Sequence, residues 1–527
     1  MLQKYAESLR DRAPAWLMLA AAAVWTAFPL LLYGLWREPH SYRSEMLPGA
    51  LLLTLILLAL GWAHPALYFV AAVPLAALNT IYAHTAHFWH IGDLPVRVET
   101  ALDSSPEESR EFIQRFVLHA KFTWLLGAYL LGVLVLGAAY WYLFRGQKAP
   151  PRKRRGRALS LALALILLAG SWPFLQTYPG TALGITAYKV YHRVNPILQR
   201  KDRIAALMAQ APPLPCTATY DKIVFVLGES ANRDYMSAYG FSMPTTPFME
   251  HLPHKVLLRA ISPVNQTMTA VPIILTPATV ADYQPFYTSP SIVSDLRRCG
   301  YQTVWLSNQL RYSPYTSSVS SIASEANTVR FTLDVLHLRG SAPDGVLFQL
   351  FSPDDLIPGK KQAYFFHLIG SHFEWKERYP PDQALIPHPK NVLEEYINTI
   401  HYTDIVLQRL FETFRSHSEN MLFVYVSDHG EWMTTTRGGH AHADPFQEEY
   451  RVPLLFWSTH PEDLQVFADV AAQDRLVNTE NLDRQMRYLM GLESDPHFSY
   501  STRVLALGPG QEYDYLQLPA AGTPETR

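Results

Sequence analysis

Three short apolar segments end abruptly in groups that can hold metals or protons: Val224-Phe225-Val226-Leu227-Gly228-Glu229-Ser230, Ala363-Tyr364-Phe365-Phe366-His367-Leu368-Ile369-Gly370-Ser371-His372, and Phe423-Val424-Tyr425-Val426-Ser427-Asp428-His429-Gly430-Glu431. Runs of this length, rich in β-branched and aromatic residues, read as strands buried on both faces, as in a parallel sheet. Open sheets of that kind collect their ligands just past the carboxyl ends of the strands. The segments therefore predict an α/β domain with a site where these three strands end.

The rest of the chain is built differently. Pro14 to Trp36, Leu47 to Trp62, Pro65 to Tyr82, Phe122 to Phe144 and Ala158 to Gln176 are apolar runs near the ~20 residues that a helix needs to cross a hydrocarbon core. Five membrane spans are expected within residues 1–178. The first keeps its place as an anchor, because no small-residue cleavage pattern follows it. Lys and Arg collect before the first span (Lys4, Arg10, Arg12) and between the fourth and fifth (Arg145, Lys148, Arg152, Lys153, Arg154, Arg155, Arg157). Basic short loops stay cytoplasmic. Segment 83–121 and everything after the fifth span are then expected on the far side of the membrane. The net charge of −2 gives no support for a nucleic-acid partner.

After a connector over 179–216, with a helix expected around Asn195 to Gln210, the catalytic domain is expected over 217–508 and a loose tail over 509–527. Strand-like runs recur at Ile223 to Leu227, Thr303 to Leu306, Ala363 to Leu368, Leu422 to Val426 and Val452 to Trp457. Helical stretches such as Ser291 to Arg298 and Val392 to Ser416 lie between them. The fold expected is an α/β sandwich with a mainly parallel sheet. Cys216 and Cys299 are the two cysteines. In an oxidising compartment they could form one disulfide, and nothing in their spacing marks a metal or redox site.

Asp428-His429 at one strand end offers a carboxylate oxygen and an imidazole nitrogen to a single ion, and Glu229 at another adds a second carboxylate. Such a donor set suits zinc. An Asp-His pair alone is common in protein cores; embedded in Ser427-Asp428-His429-Gly430-Glu431, and paired with Gly228-Glu229-Ser230, it predicts a metal site.

These residues carry a resemblance. Gly228-Glu229-Ser230, then Tyr239-Gly240-Phe241, Thr245-Thr246-Pro247, Ser427-Asp428-His429-Gly430-Glu431 and Gly439-His440, behind a set of apolar spans, resemble the membrane-bound lipopolysaccharide phosphoethanolamine transferases of the alkaline phosphatase and sulfatase superfamily. The resemblance implies five transmembrane helices, a periplasmic sulfatase-like α/β sandwich and one or two zinc ions. It also implies a threonine that is both nucleophile and zinc ligand. Asn265-Gln266-Thr267-Met268-Thr269-Ala270-Val271-Pro272 matches that stretch, so Thr267 takes the role, with Thr269 as the alternative. Glu229, Thr267, Asp428 and His429 are the implied zinc ligands.

His372 and His440 match histidines that bind the transferred group, a second metal or a leaving oxygen. His442 competes with His440, and His367 can be a core residue. Glu431 is expected to orient this shell or meet the substrate ammonium. Ser104 and Glu108, in Ser104-Ser105-Pro106-Glu107-Glu108, resemble a donor head-group contact, although either serine could simply cap a helix there. Ser307-Asn308-Gln309 and Thr245-Thr246-Pro247 lean toward the branch that acts on phosphorylated core heptose.

The function implied is transfer of phosphoethanolamine from phosphatidylethanolamine, through a covalent threonine intermediate, to lipid A or core heptose. The enzyme is expected to be a monomer in the bacterial inner membrane. A phosphoglycerol transferase or a sulfatase-like hydrolase is the alternative within the superfamily, although position 267 lacks the cysteine or serine that a sulfatase matures. A non-catalytic lipid-binding protein would be expected to have lost some of these ligands.

Overall fold

The computed structural model describes residues 13–27, 40–88, 127, 129–135, 138, 153–170, 179–311, 317–336, 342–442, 444–508 and 510–520. The chain divides into two compact units, Met1–Arg193 and Val194–Arg527.

In the first unit, helices Ala13–Ala27, His40–Ala63, Pro65–Phe88 and Lys153–Gly170 fall on four of the five apolar runs. Residues 129–135, within the remaining run, are also helical. Leu19, Ala22 and Ala23 pack against Leu53, Ile56, Leu57, Tyr68 and Ala72. Two buried side chains share one backbone acceptor: Asn79 and Tyr129 each donate to Thr26 O at 3.0 Å. Leu17, Val70, Leu159, Leu165 and Ile166 stay exposed. Among the described residues, no helix is long and apolar enough to cross a membrane. Ser104 and Glu108 lie outside the described residues.

The second unit is a three-layer α/β/α sandwich. Its sheet contains β1 (Lys222–Gly228), β2 (Val256–Ile261), β3 (Gln302–Ser307), β4 (Thr328–Phe331), β5 (Gln362–His367), β6 (Met421–Ser427), β7 (Arg451–Ser458) and β8 (Val477–Asn478). The order is β8-β2-β7-β6-β1-β5-β3-β4. Only β7 runs against its neighbours; the rest are parallel. All five expected strands are present, and β2, β4 and β8 are additions.

Every residue of β1 and β6 is buried, because helices cover both faces. Alternate residues face alternate layers. Phe225 and Leu227 join Ile274 of helix Thr267–Leu275 and Leu296 of helix Ile292–Arg298 on one face. Val224, Val226, Phe423 and Tyr425 join Tyr396, Ile400, Leu407 and Phe414 of helix Val392–Arg415 on the other. Ser291 and Asn391 cap these two helices through their side chains, as residues of their type do.

Two expectations need correction. The helix placed near 195–210 runs over Pro179–Gln210, starting on a proline suited to a first helical position and continuing through Pro196. Its Arg200 is buried in the second unit, pairing with Glu325 at 2.6 Å and donating to Phe286 O at 2.5 Å. The expected loose tail, residues 509–527, is ordered through much of its length. Glu512–Asp514 pairs antiparallel with Arg503–Leu505, and Tyr515 and Leu518 pack on Ile261 and Tyr450. Those apolar side chains explain the docking; residues 521–527 are outside the described set.

Cys216 and Cys299 form a disulfide that closes a loop across 83 positions. Both precede strand starts, so the bond sits at the edge of the sheet away from Glu229 and Asp428. Loop-closure entropy assigns such a bond about 4–5 kcal/mol at most. Replacing both cysteines by serine should lower the melting temperature of this unit, read by calorimetry, while leaving its metal content intact. An unchanged melting temperature would mean that the cross-link constrains little in the unfolded chain.

Candidate active site

Register brings the first acids together. Gly228 pairs with Ser427 in adjacent parallel strands, so Glu229 and Asp428 are the next residue on each. Neighbouring strands lie about 4.8 Å apart. Both carboxylates are buried, and His429 follows on the same turn. His429 Nε2 stands 3.2 Å from Glu229 Oε1 and 3.5 Å from Asp428 Oδ2. Its Nδ1 lies 2.8 Å from Gly430 O, an acceptor, so Nδ1 carries a hydrogen and Nε2 is the nitrogen that faces the acids.

Thr267 enters from the other side of the cluster as the first residue of helix Thr267–Leu275. Its hydroxyl donates to Glu229 Oε2 at 3.0 Å and lies 3.4 Å from His429 Nε2. The Thr269 hydroxyl instead accepts from Gln266 at 3.4 Å. Of the two threonines, Thr267 is the one in contact with the cluster.

A second group adjoins the first. His440 Nδ1 lies 2.7 Å from Glu431 Oε2, and its ring is centred 4.2 Å from that of His429 and 5.9 Å from that of His372. His442 turns elsewhere, to Glu449 at 3.0 Å and to the rings of Trp432 and Phe446. Of the two histidines, His440 is the one that faces the cluster. His367 is a core residue, hydrogen-bonded to Ser307 and edge-on to Trp305, with burial pulling its pKa down to about 4.

The cluster's charge is unbalanced by lysine or arginine: among the described residues, Glu229, Asp428 and Glu431 form ion pairs with histidine alone. Burial, followed by the neighbouring Glu229 charge, raises Asp428 to about 7. Burial also opposes ionisation of Glu229, but the hydrogen bond and charge of His429 outweigh it and hold that carboxyl well below its ordinary value. Against its own burial, His429 is raised to about 10 by Asp428 and Glu229. The acids thus demand a positive charge among them. Burial lowers His372, keeping that imidazole neutral.

Within the cluster, the buried oxygens Asp428 Oδ2 and Glu431 Oε1 accept no hydrogen bond among the described residues. Such orphans are costly unless a cation meets them. Glu229, Asp428 and His429 present ligand atoms within 4.8 Å of one another, as do His429, Glu431 and His440. Carboxylate oxygens with imidazole nitrogens fit a borderline divalent ion such as zinc. The residues present fit the group.

Several supports escaped the sequence reading. Gln309, just past β3, donates from Nε2 to Glu229 Oε2 at 2.9 Å and to Leu368 O at 2.8 Å. Ser230 holds a left-handed backbone, φ 56°, and gives its N–H to Asp428 Oδ1 and its hydroxyl to Glu229 Oε1. A non-glycine residue in that region stores strain, as residues at functional sites do. Gly370 is also left-handed, and a Cβ there would stand 2.7 Å from Glu229 O. Asn265 accepts Ala441 N–H on its backbone oxygen and donates its side-chain amide to Glu449, which anchors the loop bearing His440. Gln309 had a signal, because Ser307-Asn308-Gln309 closes a strand with polar residues just as Gly228-Glu229-Ser230 does.

The candidate site lies within the part of the chain that known proteins match. Residues 221–480 match the Sulfatase family. Phosphoethanolamine transferase EptC of Escherichia coli O18:K1:H7 is 27% identical over 319 residues, 53% of this chain and 54% of that protein. Phosphoethanolamine transferase CptA of Salmonella typhimurium is 25% identical over 380 residues, 64% of this chain and 62% of that protein. The chain spans about half the length of the curated relatives it matches. The crystal structure of the C-terminal periplasmic domain of EptC from Escherichia coli, in complex with Zn, superposes with a TM-score of 0.51 at 22% identity, covering 60% of this chain and 99% of that one. Residues 221–480 are therefore a sulfatase-like domain, similar to the matching part of phosphoethanolamine transferases.

Proposed function

We propose that the chain is a zinc-dependent phosphoethanolamine transferase of the bacterial inner membrane, with Thr267 as its nucleophile. The observation that carries this reading is the Thr267 hydroxyl, set at the start of a helix and hydrogen-bonded into the Glu229, Asp428 and His429 cluster. The names of the curated relatives and of the zinc-bound EptC domain support the group transferred and the metal. Acceptor and donor rest on the sequence resemblance: phosphatidylethanolamine gives the group, and a lipopolysaccharide takes it. The apolar runs are read as the membrane anchor that holds the domain, as a monomer, beside its lipid donor.

Zinc held by Glu229, Thr267, Asp428 and His429 would acidify the threonine hydroxyl and draw charge from the phosphoryl oxygens. Glu229 alone is a weak base, since its pKa is depressed, so the hydroxyl needs that acidification. Thr267 Oγ passes its proton to Glu229 Oε2 and attacks phosphorus, the bond to the diacylglycerol oxygen breaks, and the leaving oxygen takes a proton from a neighbouring imidazole; Glu229 returns the proton to Thr267 in the second step. His440, positioned by Glu431, is the imidazole placed for that role, with His372 beside it. In the second step the same imidazole removes the proton of the acceptor hydroxyl, which attacks phosphorus and restores Thr267. The first-turn N–H groups of helix Thr267–Leu275 have no helical partners and favour an anion at that end. Glu431 Oε1, buried and without a hydrogen bond, is free to meet the substrate ammonium or a second ion.

Metal content tests the first part. Asp428→Asn should lose zinc, measured on purified protein by elemental mass spectrometry, yet its metal-free form should melt no lower than metal-free wild type, because one of two opposed buried charges is gone. Gln309→Leu, which leaves Glu229 less firmly held, should weaken zinc binding by roughly 10–100-fold. Retention of full zinc by Asp428→Asn would refute the ligand set.

The covalent step has its own readout. Incubation with phosphatidylethanolamine and no acceptor should leave a phosphoethanolamine adduct on the peptide containing Thr267. Thr267→Ala should abolish it and lower turnover by several orders of magnitude at a cost of only about 1–2 kcal/mol in stability, the worth of one buried hydrogen bond. An adduct on Thr269 would move the nucleophile, and a fully active Thr267→Ala protein would mean direct transfer between donor and acceptor.

Topology follows from the basic link. A reporter fused after Ala211 should read periplasmic and one after Arg152 cytoplasmic. The reverse result would separate the domain from lipopolysaccharide and defeat the proposed acceptor.

A further inference from the structure

A cavity of about 590 Å³ opens behind the metal cluster, lined by Arg233, Asp234, Tyr239, Arg259, Gln447, Arg451, Leu476, Tyr515 and Leu516. It shares no residue with the candidate ligands, yet it backs directly on their loop. Arg233 lies four residues beyond Glu229, and Arg451 O stands 2.9 Å from where a Cβ on Gly430 would be. The volume falls in the range of small-molecule sites, roughly 300–1,000 Å³.

The charge of the lining is what needs explaining. Three guanidinium groups face one carboxylate. Arg451 spends its charge on Asp234 at 2.6 Å, with Glu448 at 3.8 Å, and donates to Tyr515 OH and Gln447 Oε1. Arg259 pairs with Asp474 at 2.6 Å, but both side chains are largely exposed, and such pairs contribute only about 0–1 kcal/mol. Arg233 is different. It is buried and donates to the backbone oxygens of Ala260 and Val452, and among the described residues it has no carboxylate in ion-pair contact. Its neighbouring carboxylate, Asp234, is already paired with Arg451, so a buried cation at the wall of the cavity is left under-compensated and favours an anion there.

Guanidinium forks match phosphate oxygens in pairs, which lysine cannot do. Tyr239, Tyr515, Leu476 and Leu516 line the same space with apolar and aromatic surface, and Gln447 adds an amide. Phosphate-binding and ring-stacking groups in one cavity suit a sugar that carries phosphate.

We propose that this cavity binds a phosphate-bearing saccharide, the part of the acceptor remote from the atom that receives phosphoethanolamine. The identification as acceptor rests on the function proposed above; the binding chemistry does not. Bound there, a phosphosugar would be held on the far side of the Asp428-His429-Gly430 turn from Thr267, adding affinity for acceptor without touching the reacting atoms.

Arginine footprinting tests the two parts separately. Full-length protein in detergent is treated with phenylglyoxal in the presence of glucose 6-phosphate, glucose or inorganic phosphate, and modification is read peptide by peptide. Glucose 6-phosphate should slow modification of Arg259 and Arg451 several-fold, leaving exposed Arg409 as an unprotected control, and should do so equally in Asp428→Asn protein. Glucose should give no protection, and inorganic phosphate less than glucose 6-phosphate. Absence of protection, equal protection by glucose or by phosphate alone, or protection that disappears with Asp428→Asn would overturn the proposal. In the transfer assay, Arg259→Gln should raise the KM for lipopolysaccharide more than it lowers kcat; a footprint without this shift would overturn the acceptor assignment. Failure of the transferase reading would show instead as a missing adduct on Thr267, with the footprint untouched.

Discussion

Glu229 and Asp428 are held side by side because they follow residues paired in adjacent parallel strands. Both are buried, and no lysine or arginine among the described residues pairs with either. Two such charges in a poorly solvated place repel strongly, so the end of this sheet is stable only with positive charge between them. His429 supplies it by holding a proton against its own burial, and a divalent ion meets the same demand better. The opposed directions of the shifts, Asp428 up, Glu229 down and His429 up, are one fact seen from three groups.

That constraint organises what surrounds it. Ser230 accepts a strained backbone because the strain aims its N–H at one acid and its hydroxyl at the other. Tyr396, from helix Val392–Arg415, locks the turn by donating to Ser230 O and accepting from Asn232 N. Gln309 ties Glu229 to Leu368 O, so three strand ends, those of β1, β3 and β5, are fastened through one amide. Preorganisation of this kind holds the acids, and with them the Thr267 hydroxyl bonded to Glu229, in one arrangement.

Burial explains which elements were legible. The strands β1, β5 and β6 are covered on both faces and read as unbroken apolar runs, and each ends in the residues that form the site. By contrast, β2 carries the exposed Arg259 within Val256–Ile261, β4 is a half-buried edge strand, and β8 has two residues, so none offers a periodic signal. The tail was misread because Tyr513, Tyr515 and Leu518 are separated by polar residues and show their apolar face only once docked. In the site, ligands that follow strands were visible, whereas Asn265 and Glu449 work through loops that meet only in the fold. Residue order does not distinguish His440 from His442, whereas in the fold one faces Glu431 and the other Glu449.

The sheet is polarised along its strands. At the amino-terminal edge the chain is cross-linked by Cys216–Cys299, and Lys222 is capped by the Ile357 and Lys360 oxygens. At the carboxyl-terminal edge lie the strained backbone, the unpartnered acids and the arginine-lined cavity. A metal centre left with unmet charge destabilises the apo domain, and a disulfide acts on the unfolded chain without touching the ligands. The two therefore combine with little coupling, because their residues share no contacts. The cross-link thus lies at one edge of the sheet, and the charge imbalance of the buried Glu229 and Asp428 at the other.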